Sequence, residues 1–223
     1  MKWILGALLG LGLFTGVTPL VRAYEVSVPD ALLPYEVMVQ EGSPEREHLI
    51  LGTLNGDPVM YEITSDVQFT LTVEIKALPG GKAQPQFSGI IVRQNEDLGV
   101  AEVARQRATE TNWPPVRDKV TGLTYQAGPF WSESVPAGTY RIEVSTPTNQ
   151  GAYMLQLGTV PERVGYRSTV RSIAMVYDFY EVSKLRMFNS PYIHYPVGII
   201  VVLGLILATW YWQRRQPKAP RHV

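Results

Sequence analysis

From Pro196 to Trp212 the chain carries no charged residue, and this run restricts what the rest can become. Tyr192, Ile193 and Tyr195 extend it to roughly the 20 apolar residues that cross ~30 Å of hydrocarbon. Trp210, Tyr211 and Trp212 at one end, and Tyr192 and Tyr195 at the other, suit the two interfacial belts of a bilayer. Arg214, Arg215, Lys218 and Arg221 come immediately after, whereas only Lys184 and Arg186 lie comparably near on the other side. A core helix of a soluble protein would have no use for such flanks. Residues 191–212 are therefore read as a transmembrane helix and 213–223 as a basic cytoplasmic tail, with membrane lipid as one partner.

The N-terminus agrees with that orientation. Lys2 precedes an apolar run from Trp3 to Val17, and Val21 and Ala23 occupy the small-residue positions of a cleavage site. Residues 1–23 are read as a signal peptide, with an uncleaved signal anchor as the alternative. In both cases the chain beyond residue 23 is exported, so the expected product is a single-pass protein of the cell membrane, its bulk outside and its C-terminus cytoplasmic.

Composition removes several functional classes. The 223 residues have zero formal net charge, so no overall field attracts nucleic acid. There is no cysteine, which excludes disulfides, thiol catalysis and cysteine-based metal sites. A domain above roughly 100 residues can bury an adequate core without them.

Residues 24–161 form the expected extracytoplasmic domain. Short alternating runs, among them YEVMVQ, VMYEIT, VQFTLTVEI and SGIIVRQ, are separated by turn residues such as Asn55-Gly56 and the LPGGKAQP loop. No long helical pattern intervenes, which predicts an antiparallel β-sandwich rather than a parallel α/β sheet. Between Asn95 and Pro129 alternation weakens; EDLGVAEVARQRATETNW suits a short helix, and the whole stretch is read as an elaborated connection where a partner contact is expected. The runs TYRIEV and AYMLQL read as the closing pair of strands, with Tyr140, Ile142 and Val144 on one apolar face and Tyr153, Leu155 and Leu157 matching it.

The stretch Leu49 to Gly158 resembles the bacterial pre-peptidase C-terminal domain, a jelly-roll-like sandwich appended to many secreted proteins. Pro136-Ala137-Gly138-Thr139-Tyr140 leading into RIEV, the Gly151-Ala152-Tyr153 strand start and the LGTLNGDPVMYEI entry segment carry the resemblance. That family's acidic D-x-D turn is reduced here to Asp57 followed by Pro58, a departure from its calcium contact, and no cofactor is expected.

After Pro161 the period changes. In the 162–190 segment Val170, Ile173, Ala174, Tyr177 and Tyr180 fall near one helical face. This juxtamembrane helix lies either along the membrane surface or beneath the sandwich, and Asn189-Ser190-Pro191 turns the chain into the membrane span.

Little in the chain reads as catalytic machinery. His48 alone of three histidines lies in the outer domain, in a charged turn where a solvated side chain is expected, and no G-x-S-x-G, H-E-x-x-H or Walker sequence occurs. Glu96, Asp97, Glu102, Glu110 and Asp118 are interleaved with Arg93, Arg105, Arg107, Arg117 and Lys119, which favours surface pairing over carboxylate-dependent hydrolysis. The candidate binding residues are aromatic: Trp113, Tyr125 and Trp131. Strand cores also use such residues, and Trp113, beside Pro114-Pro115, is the first choice for an exposed one. The expected function is a membrane-anchored, non-enzymatic binding or accessory protein that presents a β-sandwich to a protein or glycan partner. The alternatives are a subunit of a membrane complex joined through its helices and, last, an anchored hydrolase.

Overall fold

The computed structural model describes residues 22–29, 36–40, 42–80, 85–95, 99–110 and 112–215. The expected signal peptide therefore lies almost entirely outside the described residues, as do Glu96, Asp97 and the tail beyond Arg215. Thirteen strands are present among the described residues: β1 (Arg22–Ala23), β2 (Glu25–Ser27), β3 (Val37–Val39), β4 (His48–Asn55), β5 (Val59–Ser65), β6 (Phe69–Ala77), β7 (Ser88–Gln94), β8 (Val100–Gln106), β9 (Pro115–Arg117), β10 (Thr124–Val135), β11 (Gly138–Ser145), β12 (Gln150–Leu157) and β13 (Glu162–Arg163). Helix α1 (Tyr166–Phe179), a 3-10 turn (Lys184–Asn189) and helix α2 (Pro191–Arg215) complete the order.

The strands form a β-sandwich. One sheet has the order β2-β4-β12-β6-β10-β9 and the other β3-β5-β11-β7-β8, while β1 and β13 pair separately. Pairing is antiparallel except at one edge of each sheet, where β2 joins β4 and β3 joins β5 in parallel. Period-2 alternation explains the layer between the sheets. Leu71, Val73 and Ile75 of β6, Tyr140, Ile142 and Val144 of β11, and Tyr153, Leu155 and Leu157 of β12 meet in one buried cluster.

The strands TYRIEV and AYMLQL match as faces but do not pair side by side. β11 lies between β5 and β7 in one sheet, β12 between β4 and β6 in the other. Their apolar faces oppose each other across the sandwich. Asn55-Gly56 behaves likewise: Gly56 takes φ +103° and the chain passes from β4 to β5 in the opposite sheet. From β4 to β12 only the β7–β8 and β9–β10 links remain within one sheet. That alternation between layers is the jelly-roll-like character of the fold.

The expected helix near Val100 is instead strand β8, paired with β7 from Gly89↔Gln106 to Gln94↔Val100. Apolar residues at 100, 101, 103 and 104 mimic helical spacing, but the free edge of β7 supplies backbone partners that a helix there would leave empty.

The motif Pro136–Tyr140 has a local cause. The Tyr140 hydroxyl donates to the Pro136 carbonyl (2.8 Å) and Arg93 donates to the carbonyl of Ala137 (2.8 Å), pinning the corner between the sheets. A tyrosine hydroxyl bonded to backbone a few residues upstream is a recurrent corner device of β-sandwiches.

A second core lies outside the six-stranded sheet. Leu49 and Leu51 of β4, Met154 of β12 and Tyr125 of β10 pack against Ile173, Val176 and Tyr177 of α1. The uninterrupted Leu49-Ile50-Leu51 run is buried on both faces of its sheet, Ile50 facing the other layer. Thus α1 packs on the sandwich, the second of its two expected placements. Helix α2, 25 residues long and with no buried residue, measures about 37 Å at 1.5 Å per residue and is long and apolar enough to cross a membrane.

Candidate functional site

The aromatic residues singled out in the sequence do not converge. Trp113, the expected surface residue, is only 2% exposed. Its φ of +48° turns the side chain inward, where the indole covers Gly128 so closely that a Cβ there would sit 2.4 Å from the ring. Its Nε1–H donates to the Ala108 carbonyl (3.2 Å). Tyr125 is buried in the second core, 6.2 Å between ring centroids from Tyr180, and Trp131 is half-buried against the inter-sheet core. The expectation of an exposed Trp113 is therefore corrected, and packing accounts for the placement of all three. The aromatic side chain that β10 does expose is Phe130, at 60%, beside the irregularity in its pairing with β6 between Ala127 and Phe130.

The described acids of the 96–118 region are engaged. Glu102 accepts two hydrogen bonds from Arg105, and Glu110 pairs with Arg107 at 3.3 Å. His48, expected in a solvated turn, instead opens β4 half-buried, and its Nε2 has no partner among the described residues. Beside it, on the outer face of the six-stranded sheet, Lys76 bridges Glu74 (3.0 Å) and Gln156, whose amide donates to Glu47 (3.1 Å). Burial pushes the Glu47 carboxyl above its ordinary value, with Lys76 opposing the shift.

The most elaborated polar construction is the seam where the sandwich meets the helices, and its centre is the loop Asp118–Leu123. The Asp118 carboxylate accepts from the amides of Val120 (3.1 Å) and Thr121 (2.9 Å), from the Thr121 hydroxyl (2.5 Å) and from the Tyr24 hydroxyl. Burial and then the Asp118 charge hold the Tyr24 hydroxyl well above the usual tyrosine range, so it remains a donor. Gly122 closes the loop with φ +74°, and a Cβ there would lie 2.5 Å from the Asn189 carbonyl oxygen. Only glycine allows the two backbones that approach.

This loop grips the entry to α2. Ser190, with no exposed surface, donates to the Val120 carbonyl (2.6 Å) and accepts from the Tyr192 amide (3.2 Å), capping α2 ahead of Pro191. The Tyr177 hydroxyl of α1 lies 2.8 Å from the Arg186 carbonyl and 3.1 Å from that of Thr121, joining helix, turn and loop through one hydrogen. Pro196, inside α2, has no N–H for the carbonyl of Tyr192 four residues earlier. The Tyr166 hydroxyl at the start of α1 donates to that carbonyl instead (3.0 Å). Beside the seam an open groove of about 420 Å³ is lined by Arg117, Lys119, Asn189 and His194.

Sequence reasoning identified the Asn189-Ser190-Pro191 turn but not its partners. The Asp118-x-x-Thr121-Gly122 loop had a legible signal, an Asx-type turn ending in glycine. Nothing in the spacing tied it to Tyr24 or Ser190.

No family model matches the chain, and no curated protein matches it. Among solved structures, the pre-peptidase C-terminal domain of a collagenase from Bacillus anthracis is similar to it at 12% identity and a TM-score of 0.36, covering 56% of this chain and 96% of that domain. The two-sheet assignment rests on the strand pairing itself.

Proposed function

We propose that this is a single-pass membrane protein whose exported β-sandwich is held in fixed orientation at the bilayer and offered to a partner as a non-catalytic binding or accessory module. One observation carries the reading: the buried Ser190 hydroxyl ties the first turn of α2 to the Val120 carbonyl of the sandwich loop. A flexible tether would need only a polar linker at that point. Here a loop, a helix and a turn are locked around the start of the apolar helix, so the sandwich is positioned as well as attached.

The surface offered to the partner is the side where β8 and β9 end the two sheets. These edge strands leave backbone donors and acceptors open, and β8 packs against β10. Val116 of β9 and Phe130 of β10 are exposed there. Aromatic and apolar side chains beside an open sheet edge suit a protein partner. Pairing of Glu102 and Glu110 with arginines supports a binding role over carboxylate catalysis.

Photocrosslinking in native membranes, from full-length protein carrying the reactive group in place of Phe130 or Val116, tests this directly. The expected result is one partner protein captured from both positions and none from Val67. Capture only from α2 positions such as Val201 would favour the complex-subunit reading. Extraction of the protein without detergent would overturn the anchor.

A further inference from the structure

We propose that the 3-10 turn and the adjoining groove form a lipid-docking surface: Leu185 and Phe188 enter the outer leaflet, while Arg117 and Lys119 hold the phosphate headgroup of an anionic lipid. The inference rests on the reading of α2 as a membrane span.

The turn is built with two faces. Met187 packs inward against the second core. Leu185 and Phe188, 79% and 49% exposed, are three residues apart, the spacing at which side chains align on a 3-10 helix. Among the described residues none covers these large apolar side chains, and α2 begins three residues after Phe188. If Tyr192 and Tyr195 sit at the interface, Leu185 and Phe188 lie within the ~5–10 Å over which interfacial segments bury their apolar face.

The groove lies beside this turn. Arg117 and Lys119 extend from one wall and His194 from the first turn of α2. The His194 Nδ1 lies 3.2 Å from the Phe188 carbonyl, which ties the imidazole to the turn at the edge of the groove. Asp118 is the acid of this wall, and its carboxylate is engaged by the loop amides, Thr121 and Tyr24. Lys184 is paired with Asp178 at 3.0 Å and is not assigned to the groove. Two cationic side chains facing an open concavity complement a phosphodiester. Its place next to the membrane entry selects a lipid headgroup over a soluble anion.

The chain has no cysteine, so single spin labels can be placed without a background. Full-length protein bearing Leu185→Cys, Phe188→Cys, Ile200→Cys or Val67→Cys would be labelled in nanodiscs of phosphatidylcholine with phosphatidylglycerol. Val67 serves as the aqueous reference, because it adjoins the Phe69↔Val135 end of β6 and β10, remote from the seam. Labels at 185, 188 and 200 are expected to relax with oxygen, and the label at 67 with a water-soluble nickel chelate. A water-exposed label at 200 would overturn the membrane span; lipid exposure at 200 with water exposure at 185 and 188 would overturn the docking surface alone. In a second arm, Arg117→Gln combined with Lys119→Gln is expected to lower retained phosphatidylglycerol by roughly 25-fold, since each basic residue at an anionic surface is worth about fivefold. Unchanged retention, or displacement of the lipid by inorganic phosphate, would overturn the headgroup site.

Discussion

The inter-sheet core and the seam beneath α1 are both buried, yet they are built by different means. The first is almost wholly apolar, with the Tyr61–Tyr153 hydroxyl pair at 2.7 Å among its few polar contacts. The second mixes Leu49, Leu51 and Ile173 with tyrosines and an aspartate that hydrogen-bond to loop and turn backbone as well as to one another. Hydrophobic burial stabilises without direction, whereas hydrogen bonds to fixed carbonyls specify an angle. The inter-sheet core therefore holds the sandwich together, and the seam decides how it sits on α2.

That division can be broken by substitution. The largest effect is expected from Leu155→Ala, which empties a fully buried position between the sheets. It should cost about 3 kcal/mol and lower the urea midpoint of the whole sandwich. Gly122→Ala should cost about 2 kcal/mol, because alanine disfavours φ +74° and its Cβ meets Asn189. Its signature differs: faster amide exchange in residues 118–123 and 186–190, with β6 and β12 still protected. If β6 and β12 lose protection equally, the seam is not a separate unit. Tyr177→Phe, which keeps the ring and deletes the hydroxyl, should cost about 1 kcal/mol and loosen the same segments.

The smallest effect concerns pH. Burial raises the Glu47 carboxyl above 4.5, so the folded chain retains a proton that the unfolded chain has already released. Stability should then fall as pH rises from about 4.5 to the raised folded value and be level above it. Glu47→Gln should remove that slope and leave the variant more stable at neutral pH, in thermal melts across the acid range. A variant that is less stable at neutral pH would mean that Lys76 attraction outweighs desolvation.

The legible features were those with a local cause. Alternation placed β4, β5, β6, β7, β11 and β12, and the apolar run placed α2, because side-chain period and span length stem from backbone geometry. Strand β8 was misread because its apolar spacing fits a helix and only the edge of β7 makes it a strand. Trp113 was misread because two adjacent prolines argue for exposure, while Gly128, distant in sequence, provides its bed. The seam was invisible for the same reason: Tyr24, Asp118 and Ser190 are far apart along the chain, and no spacing rule connects them.

By itself, then, the sequence determined a β-sandwich pattern ending in an apolar helix, since periodicity and hydropathy are properties of neighbouring residues. Only the tertiary structure decided that the strands of Val135–Gly158 lie in opposite sheets, that Trp113 is core, and that the loop at Asp118 locks α2. Those outcomes depend on which surfaces meet, and close packing with directional hydrogen bonds settles that between residues far apart in the chain.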